Sequence, residues 1–330
     1  MKFFNLDLHV SVIQDIKQTL EPLGHTVDNW SISGHSWVFD KEMDKVEVVN
    51  EKTWQGLDQD MCDRFYDRYK NELSDYDCFI ACYPPAFSLL YEKFDKPIIA
   101  VAATRYEHPF SGDQDRWGWF NEKLIAMIDS GQITPVSNNK YDKFYCEHFT
   151  GRTWDHIPSF CDYTQATYKP VHRWKNACVI SSRVNHQVDE CKHINSLGRH
   201  SWEDLYSHKA IVHVPYNTSI MSISEQYAAS VPLLFPTLDF GKRTAGYLSE
   251  LFFHTNKRIV PSLYDDKAIM LADFYDDTWM PHALFYDSFT DIPEILSSVD
   301  LLAVSDSMRE FNTTRKLTVT ERWEDALSRL

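Results

Sequence analysis

The stretch from Ala210 to Thr237 constrains this chain more than any other: Ala-Ile-Val-His-Val-Pro-Tyr-Asn-Thr-Ser-Ile-Met-Ser-Ile-Ser-Glu-Gln-Tyr-Ala-Ala-Ser-Val-Pro-Leu-Leu-Phe-Pro-Thr. A β-branched run, Ile211 to Val214, reaches a polar turn. A short amphipathic segment follows, and an apolar run closed by prolines, Val231 to Pro236, completes a strand, turn, helix, strand unit. Such a unit is half of a nucleotide-binding α/β architecture.

The turn is where chemistry can sit. The first residues of a helix carry unpaired N–H groups and the positive end of the helix dipole, which together attract a phosphate. Asn217, Thr218, Ser219 and Ser222 add polar side chains there. Glu225 lies one turn further in, where a carboxylate can accept hydrogen bonds from the vicinal hydroxyls of a ribose or sugar. A second reading stays open: Ser222-Ile-Ser-Glu225 fits the capping box, in which serine and glutamate satisfy each other's backbone donors.

Repeated apolar runs extend the α/β pattern over the chain. Lys2 to Leu6 reads as a strand, Val10 to Leu20 as a helix stopped by Glu21-Pro-Leu-Gly24, and His25 to Ser33 as a second strand. Cys78 to Tyr83 and Lys96 to Ala103 are apolar on both sides, which suits a parallel sheet covered by helices. Ala177 to Arg183 opens a second such series, with a linker expected at Pro170. At 330 residues the chain exceeds a typical single domain, so two lobes are expected, 1–168 and 169–316, followed by a terminal helix over 317–330. Weaker strands are expected at Lys257 to Val260 and Ala283 to Tyr286, and helices at Ala245 to Phe253, Lys267 to Phe274 and Ile292 to Leu302.

The polar turn, the helix with an inward Glu and the Val-Pro-Leu-Leu-Phe-Pro strand together resemble the donor-binding half of GT-B glycosyltransferases. The resemblance implies an α/β fold of two Rossmann-like lobes facing a central cleft, with the last helix packing back on the first lobe. It also implies a nucleotide-sugar donor, bound by the second lobe through Ser182, Arg183, Asn217, Thr218, Ser219, Ser222 and Glu225, and a hydroxyl acceptor, a glycan or a small molecule. Glu225 would hold the ribose, while Arg183 and backbone donors would meet the diphosphate. The expected transfer is inverting, which needs a base in the first lobe. Two positions compete for that role. Glu107 lies in Thr104-Arg-Tyr-Glu-His-Pro-Phe-Ser111, which resembles the loop carrying the base in phage DNA glucosyltransferases. Asp7 with His9 follows the first strand, where plant-type GT-B enzymes place a catalytic His. The competing readings are an exposed loop acid, or one paired with Arg105, for Glu107, and for the other site an Asp7 that caps the first helix with His9 in its exposed first turn. A non-catalytic carbohydrate- or nucleotide-binding protein is the alternative to an enzyme.

Other classes lose their signatures. A net charge of −15 without a long Lys/Arg cluster disfavours long nucleic acid, whose affinity comes largely from phosphate neutralisation. Dinucleotide-binding and Walker glycine loops are missing, as are a Gly-x-Ser-x-Gly elbow and a His-Glu-x-x-His pair. The seven cysteines include no Cys-x-x-Cys pair and read as reduced thiols. With no basic-then-apolar leader and no apolar run of ~20 residues, the protein is expected to be cytoplasmic and free of membrane spans. Asp-x-Asp pairs at Asp58/Asp60, Asp75/Asp77 and Asp113/Asp115 can bridge a hard cation and a diphosphate, but no cofactor and no essential metal are expected.

Overall fold

A computed structural model describes residues 1–103, 106–171, 178–183, 188–244, 247, 251 and 263–330. The expected strand at Lys257 to Val260 and most of the expected helix at Ala245 to Phe253 lie outside the described residues. The chain divides into two compact units. Among the described residues the first holds Met1–Ser159, Leu263 and Val319–Leu330, and the second the described parts of Phe160–Phe253 and Tyr264–Thr318.

The first unit carries a parallel sheet of β1 (Lys2–Asp7), β2 (Thr26–Ser31), β3 (Cys78–Ala81), β4 (Ile98–Ala102), β5 (Ile133–Ser137) and β6 (Asp155–His156) in the order β2-β1-β3-β4-β5-β6. Its helices are α1 (Val10–Leu20), α2 (Gln59–Tyr69), α3 (Gln114–Asp129) and α4 (Lys140–Thr150). Every residue of β3 and β4 is buried, which is why their sequences are apolar without alternation. Edge strand β2 alternates instead, with Thr26 and Asp28 exposed. Aromatic rings fill one core region: Phe79 stacks on Tyr91 at 4.4 Å, and Phe4 meets Trp30 edge-on at 4.8 Å.

The second unit repeats the plan with β7 (Cys178–Ser181), β8 (Cys191–His193), β9 (Ala210–His213), β10 (Leu233–Pro236) and β11 (Leu284–Tyr286), ordered β11-β10-β9-β7-β8 and again parallel. Its helices are α5 (Trp202–Tyr206), α6 (Met221–Ala228), α7 (Leu238–Arg243), α8 (Asp266–Ile269) and α9 (Ile292–Ser298). Counted within each unit, the first sheet runs 2-1-3-4-5-6 and the second 2-1-3-4-5. That order has its topological switch between the first and third strands, where open α/β sheets place ligands at the carboxyl ends. The last helix, α10 (Leu301–Leu327), contributes residues to both units.

The division falls at Ser159/Phe160. The segment before Pro170 is bonded into the second unit: Tyr168 N–H donates to Ala229 O at 3.0 Å, its hydroxyl to Lys209 O at 2.7 Å, and Lys169 N–H to Tyr206 O at 3.2 Å. The end of α10 is bonded to the edge strand of the first unit, where Arg322 donates to His156 O at 2.9 Å and Arg329 pairs with Asp155.

Candidate active site

In the second unit the switch point lies between β7 and β9, whose register pairs Ser181 with His213. Ser182 and Arg183 follow β7, and Asn217 to Ser219 follow β9, so five of the residues read from sequence gather at the carboxyl ends of two adjacent strands. The Val214 N–H donates to Ser181 O at 2.9 Å and ties the two turns together. The Arg183 guanidinium lies 4.2 Å over the Tyr216 ring, a geometry that orients the cation. Tyr216 is a neighbour of the turn residues and was within reach of the sequence reading.

The loop is built from its own side chains. Asn217 Oδ1 accepts from the Thr218 N–H at 2.7 Å and from the Thr218 hydroxyl at 3.3 Å. The Ser219 hydroxyl donates to Asp273 Oδ2 at 2.6 Å, while the Asp273 N–H donates to Thr218 O at 3.0 Å. Thr218 and Ser219 therefore shape the loop, and Asp273 is their clamp. Sequence reasoning missed Asp273 because it placed the residue in a continuous helix from Lys267 to Phe274. The chain instead breaks after α8 and turns back through Asp273–Tyr275.

The capping-box alternative for Glu225 is not formed. The N-cap of α6 is Ile220, whose side chain caps nothing, and Ser222 sits inside the first turn. Glu225 is buried, and its Oε1 accepts from the Tyr163 hydroxyl instead. At the end of β9, His213 is stacked on Phe235 at 5.2 Å and joined through Nε2 to Gln226 Oε1 at 2.7 Å. Burial lowers its pKa to about 4, an effect the Gln226 contact opposes, so the ring is neutral at pH 7.

In the first unit the switch point lies between β1 and β3. Asp7 ends β1 and is fully buried. Its Oδ1 accepts from the Ser31 hydroxyl at 3.1 Å, and among the described residues its buried Oδ2 has no partner within hydrogen-bond geometry. Burial lifts its pKa from an ordinary 3.8 to about 7. Asn29, Ser31 and the His9 N–H oppose the rise, and Asp44 adds to it. The carboxylate caps no helix: the N-cap of α1 is His9. The His9 ring is half-buried and meets Tyr83, which follows β3, edge-on at 5.1 Å. Asp7 and His9 thus share one strand end, and the Asp7 side chain is directed to Ser31 rather than to the imidazole.

Glu107 follows β4 in the loop before α3. It is buried and accepts from the Tyr145 hydroxyl of α4. Its neighbour His108 stacks on Trp54 at 6.0 Å. Arg105 lies outside the described residues. The structure therefore makes Glu107 part of a packed acid–phenol pair, a partner invisible in sequence because Tyr145 stands 38 residues away.

Four of the six Asp-x-Asp carboxylates have local duties. Asp58 caps α2 and Asp113 caps α3, accepting from Met61 N at 2.8 Å and Arg116 N at 3.1 Å. Asp60 pairs with Arg64 at 2.8 Å, and Asp77 accepts from the Lys2 N–H at 2.7 Å. Among the described residues no three His, Cys, Asp or Glu side chains gather as a metal would need. Elsewhere in the second unit, Lys242 pairs with Asp266 at 2.8 Å and Arg243 donates to Asp287 O at 3.4 Å. No helix among the described residues is long and apolar enough to cross a membrane.

No family model matches the chain, and no curated protein matches it. Solved structures do. Anabaena HepE, in a crystal structure with UDP and glucose, covers 100% of both chains at a TM-score of 0.53 and 10% identity. The fold is GT-B. The glycotransferase of kitacinnamycin covers 98% of each chain at a TM-score of 0.47 and 11% identity, and the lipopolysaccharide outer core galactosyltransferase WaaB 100% of each at 0.45 and 10%. In this GT-B chain the two Rossmann-like units are those described above, each with its switch point occupied by polar side chains.

Proposed function

We propose that this protein is a glycosyltransferase that moves a sugar from a nucleotide-sugar donor to a hydroxyl acceptor, a glycan or a small molecule, with inversion and without an essential metal. The observation that carries this reading is the clustering of Ser182, Arg183 and Asn217 to Ser219 at the switch point of the second unit, in a chain of GT-B fold throughout. Arg183 supplies positive charge for a diphosphate, and Glu225, on the helix that follows, supplies a carboxylate for the ribose. In the transfer, the acceptor oxygen forms the new bond to the sugar C1 as the bond from C1 to the diphosphate oxygen breaks. The acceptor proton passes to a base of the first unit, and the nucleoside diphosphate leaves with the electron pair.

Of the two base positions, His9 is favoured. It stands at the switch point and is partly exposed, whereas Glu107 is buried against Tyr145. A thermal-shift screen with UDP-, GDP-, dTDP- and CMP-sugars tests the reading, with UDP-glucose as the first probe; a bound donor raises the melting temperature. Release of the nucleoside diphosphate in the presence of an acceptor then separates the enzyme from a non-catalytic sugar- or nucleotide-binding protein, which would bind without turnover. Turnover is expected to persist in EDTA. Loss in EDTA with recovery on adding Mn²⁺ would overturn the metal-independent part.

A further inference from the structure

Cys178 opens β7 and Cys191 opens β8, and the parallel register sets them opposite each other. Residues paired in this way send their side chains to the same face of a sheet, and the two thiols are in hydrogen-bonding contact. Cys178 is 1% exposed, whereas Cys191 is half-buried and stands on the last strand of the sheet order. Both are free thiols. Among the described residues no other two cysteines face each other across paired strands: Cys78 of β3 pairs with Phe3 of β1, and Cys62, Cys82, Cys146 and Cys161 lie outside the strands. Neighbouring parallel strands run about 4.8 Å apart, inside the roughly 4.4–6.8 Å that a disulfide spans between Cα atoms. The Cβ atoms must still approach by about one ångström. That shift is open to β8, which is three residues long and has one neighbouring strand among the described residues.

We propose that Cys178 and Cys191 are a reversible thiol–disulfide pair, a modification site closed by a low-molecular-weight disulfide such as oxidised glutathione and reopened by the corresponding thiol. In the first step the Cys191 thiolate attacks one sulfur of the added disulfide. That S–S bond breaks, and one small thiolate leaves and takes up the proton that Cys191 released. In the second step the Cys178 thiolate attacks Cys191 Sγ and expels the other half as a second small thiol. The two protein thiols are thereby oxidised to one disulfide, and the added disulfide is reduced to two thiols. Exposure assigns the order, since Cys191 can meet an incoming molecule and Cys178 is enclosed. The contact with Cys178, burial and the Glu190 charge all push the Cys191 pKa up, so little thiolate forms at neutral pH and exchange is slow. The closed ring runs from 178 to 191 and includes Ser182 and Arg183, so oxidation ties down the base of the turn that follows β7. The alternative is a thiol pair that only packs the two strands together.

The test is exposure of the reduced, folded full chain to oxidised glutathione, then denaturation in an alkylating reagent and peptide mapping without reductant. One cross-linked species joining Cys178 to Cys191 is expected, with two of the seven thiols lost and both recovered in dithiothreitol. Cys178→Ser leaves Cys191 without a resolving partner and should accumulate a glutathione adduct there; Cys178→Ala serves if serine is not tolerated at the buried position. Cys191→Ser should form no cross-link and lose no thiol. Seven thiols still free after prolonged exposure overturn the inference. Cross-links spread over several cysteines also overturn it, because they mark oxidation of unfolded chain. So does a stable adduct on Cys191 of the unaltered protein without the cross-link, since Cys178 is then out of reach.

Discussion

Asp7 gains and loses its proton near neutrality, and this ties stability to pH. Its folded pKa of about 7 lies above an ordinary 3.8, so between those values the folded chain keeps a proton that the unfolded chain has released. Stability therefore falls as pH rises across that window, by about 1.4 kcal/mol per pH unit from this group, and levels off above pH 7. Asp7→Asn, which cannot ionise, should remove the slope, so its stability relative to the unaltered protein should grow by a few kcal/mol from pH 4 to pH 7. Urea unfolding of the two proteins across pH 4 to 9 measures this, and parallel curves would mean that Asp7 is not desolvated in solution. The base is decided by a different pair. His9→Ala should cut turnover by roughly 100-fold or more with donor affinity nearly intact. Glu107→Gln should mainly lower stability, since its carboxylate belongs to the packed pair with Tyr145. A 100-fold loss in Glu107→Gln with unchanged His9→Ala would reverse the assignment.

At the scale of elements, close packing makes single glycines and amides decisive. A Cβ at Gly241 of α7 would lie 2.5 Å from Cε1 and 2.9 Å from Cδ1 of Tyr247. That ring is held by Tyr275, whose hydroxyl lies 3.3 Å from its own and also donates to Pro236 O at 2.9 Å. Gly241→Ala should thus destabilise the protein by about 1–3 kcal/mol, although alanine is the better helix former; a chemical-denaturation midpoint equal to or above that of the unaltered protein would show that Tyr247 yields. Elements of this kind were partly legible beforehand. The buried strands announced themselves because both faces are apolar, and α1 because its apolar residues recur at helical spacing. Two-residue β6 and three-residue β8 carry too little pattern to be read. The middle of α10 escaped notice because its apolar residues do not form one stripe. Only its two ends were read as helical. Glu225 was correctly expected to face inward, but its partner Tyr163 stands 62 residues away, and local capping rules cannot reach it.

The chain uses one plan twice, a parallel sheet that begins 2-1-3-4-5 and carries a sixth strand in the first unit, with polar turns at its switch point, and the two copies differ in what those turns present. In the first unit they bring acid, imidazole and hydroxyl groups: Asp7, Ser31, His9 and Tyr83. In the second they bring a guanidinium braced on a ring and a loop closed by Asn217, Ser219 and Asp273. A group that accepts protons suits an acceptor hydroxyl, whereas positive charge and donors suit a phosphorylated nucleotide. The division of labour makes a prediction about ligand order. A nucleoside diphosphate alone should slow amide hydrogen exchange in 181–183 and 214–225, where ligand binding suppresses local opening, and leave 103 and 106–113 unchanged. Exchange measured by mass spectrometry with and without UDP separates the outcomes. Protection confined to the loop after β4 would assign the nucleotide to the first unit, and the donor role of Arg183 and Glu225 would fall with it.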